Sequence, residues 1–243
     1  MRSVSSWVVL ASVVVACGKS EGNGADSRGQ GSVPSATAER SSGGRPATDR
    51  GIEEQPTIVF VGTSLTAGLG LTDPDEAYPA LIQNKIDSLG LNYRVVNAGV
   101  SGETSAGALQ SIGWLMRSPA SVVVIETGAN DGLRGLSVAA MRANIQAIID
   151  TVKSEHPDAR IVLAGMEAPP NLGARYTSSF REVFPELARA NHATLIPFLL
   201  EGVAGVDSLN QADGIHPNPK GARVVADNVW RVLRPVLESA AAG

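Results

Sequence analysis

The sequence is short of cysteine, aromatic residues and clustered positive charge. It has a single cysteine, and aromatics make up 4% of its 243 residues. One thiol excludes a disulfide framework and a cysteine-based metal site. So few aromatics offer no platform for stacked bases, and no block of Lys and Arg is present. The net charge of -4 is mildly acidic, which argues against a nucleic-acid partner. Internal repeats are also absent. Hydrophobic residues make up 43% of the chain, enough for one or at most two domains with a real core.

The N-terminus has its own composition. Arg2 precedes an apolar run from Trp7 to Ala16. That run is far shorter than the ~20 residues needed to span a bilayer and has the length of a signal-peptide core. It ends in Val14-Val15-Ala16-Cys17, which resembles a bacterial lipobox. The resemblance implies a lipoprotein signal peptide over 1–16, cleavage before Cys17 and lipidation of its thiol. An ordinary secretory signal with a chance cysteine is the plainer alternative. From 17 to 55 the chain is Gly, Ser, Ala and charge, with little to bury. This predicts a disordered tether and leaves one folded domain over 56–243. The expected address is an exported bacterial lipoprotein, held by Cys17 at the periplasmic side of the outer membrane and monomeric.

Five β-branched runs follow: 57–61, 93–98, 121–126, 160–165 and 194–198. Between them, apolar residues recur at helical spacing. One such stripe is Ala77, Leu81, Ile82, Ile86 and Leu89, ending at Gly90; others begin at Val138 and Phe180. The last helix opens at Asn218-Pro219, a cap followed by a first-turn proline. Alternating strands and helices predict an α/β fold with a five-stranded parallel sheet covered on both faces. Ligands bind such sheets beyond the carboxyl ends of the strands.

What stands at those ends is informative. Gly62-Thr63-Ser64 follows the first strand, Gly99 to Thr104 the second, and Thr127 to Gly132 the third; Asp213 to Pro217 precedes the last helix. A serine hydroxyl needs an adjacent base to attack at neutral pH. Of the three histidines, His156 and His192 fall where helices give way to strands, at the opposite edge. His216 alone falls on the ligand edge, with Asp213 three residues earlier to orient its ring. The Ser64 N–H, the Gly102 N–H and the Asn130 amide are candidate donors to a developing oxyanion. Each feature taken singly has a plain reading: turn glycines, Asn130 or Ser64 as a helix cap, and a turn before a capped helix. The G-x-S-x-G elbow of α/β-hydrolases fails at Thr66.

Four stretches, "GTSLTAG", "NAGVSGETSAG", "ETGANDGLRG" and "DGIHPNPKG", resemble in order the motif blocks of the SGNH (GDSL) hydrolase family. The likeness is strongest to its thioesterase I / lysophospholipase L1 / arylesterase branch. The resemblance implies a three-layer α/β/α, flavodoxin-like fold and a serine esterase without metal or cofactor. It makes Ser64, Asp213 and His216 the catalytic triad, with Ser64, Gly102 and Asn130 as the oxyanion hole. The implied substrate is a small acyl ester or lipid. A carbohydrate O-acetyl esterase and a lipid-anchored binding protein without turnover are the alternatives. Two positions depart from the family: Ala129 replaces a frequent second glycine in the third block, and, of more consequence, Thr63 stands where an aspartate is usual. The expectation is that its hydroxyl accepts from N–H groups at the helix start.

Overall fold

The computed structural model describes residues 55–241. The lipobox at Cys17 and the tether lie outside the described residues. The elements run β1 (Thr57–Gly62), α1 (Ser64–Ala67), α2 (Tyr78–Ser88), β2 (Arg94–Gly99), α3 (Ser105–Leu115), β3 (Val122–Ile125), α4 (Ala129–Leu133), α5 (Val138–Glu155), β4 (Arg160–Ala164), α6 (Ala174–Asn191), β5 (Thr194–Ile196) and α7 (Pro219–Ala241). The five strands form one parallel sheet in the order β2-β1-β3-β4-β5. Each strand falls on one of the five apolar runs.

Burial explains why those runs carry so few polar side chains. β1 and β3 are buried along their whole length, because helices cover both faces of a central parallel strand. α3 packs on α5, and α5 on α6; on the other side α2 packs on α7. The predicted stripes form the inner faces: Ile82 and Ile86 of α2, Ile145, Ile148 and Ile149 of α5, Phe180 and Phe184 of α6, and Val229 and Leu233 of α7 are all sealed from solvent. Asn218 caps α7 as the sequence suggests, its Oδ1 accepting from the N–H groups of Lys220 (3.0 Å) and Gly221 (3.1 Å).

No apolar stripe in the sequence announces α3. Gly107 and Gly113 break its helical pattern, and it is set by Thr104, whose hydroxyl accepts from Gly107 N–H, and by burial of Ala108 and Ile112. The strand order decides where a ligand can sit. The chain leaves β1 for β2 on one side and then crosses to β3 on the other, so the crevice at their carboxyl ends is the topological switch point. Val61 is level with Ile125, and Gly62 with Gly99. The segments after all three strands therefore open at the same height.

Candidate active site

Ser64 is the first residue of α1, directly after β1. Its Oγ lies 2.8 Å from His216 Nε2. The opposite ring nitrogen, Nδ1, lies 2.7 Å from Asp213 Oδ2. The other carboxylate oxygen accepts from the backbone N–H groups of Ile215 (2.9 Å) and His216 (3.0 Å). One short loop thus supplies both the imidazole and the carboxylate and folds the carboxylate back under the ring. The His216 ring hydrogen bond, followed by those backbone donors, holds the Asp213 carboxyl down to about 2. It is ionised at any pH where the imidazole is neutral, the state a general base requires.

The other two histidines have different work. His156 Nε2 bonds the Met116 carbonyl at 3.0 Å. His192 ends α6 in the left-handed conformation, φ 56°. A hollow of about 800 Å³ opens beside His192, between Lys153, Arg160 and Arg231, but no serine is bonded to that ring among the described residues.

Ser64, Gly102 and Asn130 line one cavity. The N–H groups of Ser64 and Gly102 donate to no protein acceptor among the described residues. Gly102 has φ 80°, a conformation that favours glycine. Asn130 is not the cap of α4; Gly128 is, with φ 96°. One N–H of the Asn130 amide donates to the Glu103 carbonyl at 2.9 Å. An amide nitrogen carries two hydrogens, so the second can face the substrate. Arg134 Nη2 donates to the Gly102 carbonyl at 2.9 Å, and the two side chains together clamp the Gly102–Glu103 turn. Nothing local in the sequence announces this contact of Arg134, since "GLRG" reads only as part of a motif.

Ser64, Gly102, Asn130 and His216 open onto a cavity of about 480 Å³. Its remaining walls are largely apolar, with Leu69, Leu133, Met166, Phe198, Leu200 and Ile215 among them. Leu69, Leu133 and Ile215 are exposed at its rim. This suits an acyl chain entering beside the serine.

Thr63 corrects the sequence expectation. Its side chain makes no cap hydrogen bond. Instead the hydroxyl donates to Glu126, 2.9 Å from Oε1 and 3.1 Å from Oε2. A carboxylate thus faces this turn from across the sheet, carried by the residue that follows β3.

Residues 60–224 match the GDSL-like Lipase/Acylhydrolase family. The chain belongs to that family. Esterase TesA of Pseudomonas aeruginosa is 41% identical over 182 residues, 74% of this chain and 89% of the relative. Thioesterase 1/protease 1/lysophospholipase L1 of Escherichia coli is 34% identical over 182 residues, 74% of this chain and 85% of that one. Among solved structures, the psychrotrophic esterase EstA from Pseudoalteromonas sp., inhibited by monoethylphosphonate, superposes with a TM-score of 0.70 at 34% identity. That superposition covers 75% of this chain and 98% of EstA. The chain is accordingly a carboxylic ester hydrolase with the three-layer α/β/α fold.

Proposed function

We propose that Ser64 is the nucleophile of a two-step hydrolysis of acyl esters and thioesters, with His216 as base and acid and Asp213 as its orienting partner. The observation that carries this is the unbroken chain Ser64 Oγ–His216 Nε2, His216 Nδ1–Asp213 Oδ2, at 2.8 and 2.7 Å, at the mouth of an apolar cavity. Ser64 Oγ adds to the ester carbonyl while its proton passes to His216 Nε2. The carbonyl oxygen becomes an oxyanion facing the Ser64 and Gly102 N–H groups and the free Asn130 N–H. Each such donor contributes about 10²–10³ in rate. The tetrahedral adduct collapses, the C–O or C–S bond to the leaving group breaks, and His216 returns the proton to it. Water then attacks the Ser64 acyl ester, again through His216, and releases the acid.

The apolar walls favour acyl chains over a carbohydrate acetate, whose sugar would need polar partners. Hydrolysis of p-nitrophenyl esters of rising chain length, with an acyl-CoA and a lysophospholipid alongside, tests the reading. The preferred acyl group should be longer than acetyl. A marked preference for acetylated carbohydrate over every one of these would overturn the acyl-chain assignment.

The enzyme is further proposed to work as a monomer anchored to a membrane through Cys17. Support comes from the short apolar run, the small residues before Cys17 and the tether-like 17–55. Among the described residues no helix is long and apolar enough to cross a membrane. Wild-type protein should fractionate with membranes, and Cys17→Ser should not be acylated. An unacylated wild-type protein in the soluble fraction would refute the anchor.

A further inference from the structure

Glu126 directly follows β3, is fully buried, and belongs to none of the reacting groups above. Its backbone N–H extends the ladder to Val61 (2.8 Å), which turns the side chain toward the start of α1. The carboxylate receives three donors there. Oε2 accepts from the Thr63 N–H (2.7 Å) and the Thr66 hydroxyl (2.8 Å), and the Thr63 hydroxyl reaches both oxygens. Thr66 Oγ1 lies 2.7 Å from the Tyr78 hydroxyl. With the Thr66 proton directed to the carboxylate, the phenol must be the donor of that pair. Gly62 leaves the room: a Cβ there would fall 2.0 Å from Thr66 Oγ1 and 2.8 Å from Glu126 Oε2.

The bonded residues bracket the nucleophile, one position before Ser64 and two after it. We infer that Glu126 is a positioning residue for catalysis, its buried carboxylate fixing the turn that aims Ser64 Oγ at His216. By taking the Thr63 N–H, it also leaves the Ser64 N–H as the donor that faces the cavity. The inference rests on Ser64 being the nucleophile.

Charge matters to this device. All three groups donate, and only an ionised carboxylate accepts from all of them. Protonation would force the Thr63 hydroxyl to reverse, and its hydrogen has no other acceptor among the described residues. Burial pushes the Glu126 carboxyl up to about 7, against the pull of its hydrogen bonds to Thr63 and Thr66. The groups facing it are these two threonines from the α1 end and, behind Thr66, Tyr78 of α2. Only the phenol can titrate, and burial, with the neighbouring Glu126 charge adding to it, moves that pKa further up.

Glu126→Gln keeps the shape but turns a donor toward donors. It should lower kcat about 10- to 100-fold, the scale of a misplaced reacting group, with KM nearly unchanged. The wild-type pH–rate profile should include a step near pH 7, where Glu126 ionises, and the variant should lack it. A folded-state pKa above the unfolded value also means that wild-type stability falls as pH rises from about 4.5 to 7; melting curves of the variant should lack that slope.

Should Glu126→Gln fail to fold, Thr63 carries the test. Thr63→Ser keeps the donor and should match wild type, while Thr63→Val removes it and should lose kcat alone. Unchanged kcat and pH profile in Glu126→Gln, or in Thr63→Val, would overturn the inference. Fluorophosphonate labelling of wild-type Ser64 separates the two levels: without it the nucleophile assignment itself fails, and with it only the role of Glu126 is at stake.

Discussion

Ser64→Ala should yield a folded protein with ester turnover reduced by about 10⁴- to 10⁶-fold, the loss expected when a nucleophile acting as one unit with its base is removed. The fold should not suffer. The change deletes one oxygen that faces the cavity, and Thr63 and Thr66, whose hydroxyls hold the turn, remain in place. A fluorophosphonate should label the wild-type protein at Ser64 and leave the variant unmodified. Neighbouring serines offer no replacement. The Ser105 hydroxyl donates to Asp131 at 2.6 Å and accepts from Asn144 at 3.0 Å, and no histidine is bonded to it among the described residues. Ser101 is exposed and has no bonded base among the described residues. Turnover by Ser64→Ala within about ten-fold of wild type, or labelling at Ser101 or Ser105, would show that the nucleophile is another group.

Much of this site is legible in the sequence because its parts are local. The Asp213–His216 pair lies within one loop, and the glycines and Asn130 lie immediately after strands that apolar runs announce. Chain-edge logic is enough to bring them together once the sheet is parallel. Thr63 and Glu126 are different. Their contact spans 63 residues and exists because β1 and β3 are neighbours at the switch point, a fact of strand order rather than of any local pattern. Read locally, Glu126 is a polar residue ending an apolar run, and Thr63 is a polar residue at a helix start. The reading of Thr63 as an acceptor followed from helix-end chemistry, and it reverses because a buried carboxylate is the stronger acceptor in reach. α3 escaped for a related reason: its glycines erase the stripe, and packing against α5 and β1 supplies what propensity does not.

Asp213→Asn should lower kcat/KM by about 10⁴, and the loop geometry says why the loss should be so large. Oδ1 of Asp213 accepts from two backbone N–H groups, those of Ile215 and His216. An asparagine must keep its oxygen there, since its NH₂ group would face two donors. The NH₂ is thereby turned toward His216 Nδ1, where the carboxylate oxygen now sits at 2.7 Å. Donation to Nδ1 moves the ring proton onto Nε2, so the imidazole presents N–H to Ser64 instead of the lone pair that must take the serine proton. The variant is held in the wrong tautomer by its own loop. Asp213→Ala makes a useful contrast. The carboxylate side chain is 45% exposed, so water can enter the space left by alanine, and water can accept from Nδ1. Alanine should therefore be no worse than asparagine, although asparagine is the closer isostere. Both should retain the wild-type fold by circular dichroism. The acid limb of the wild-type profile should not contain Asp213, since its carboxyl is held down to about 2 and stays ionised throughout. Rates for the two variants with one p-nitrophenyl ester, from neutral to mildly alkaline pH, decide the matter. Asparagine retaining activity within about ten-fold of wild type would remove Asp213 from the triad, and alanine falling well below asparagine would remove the tautomer argument.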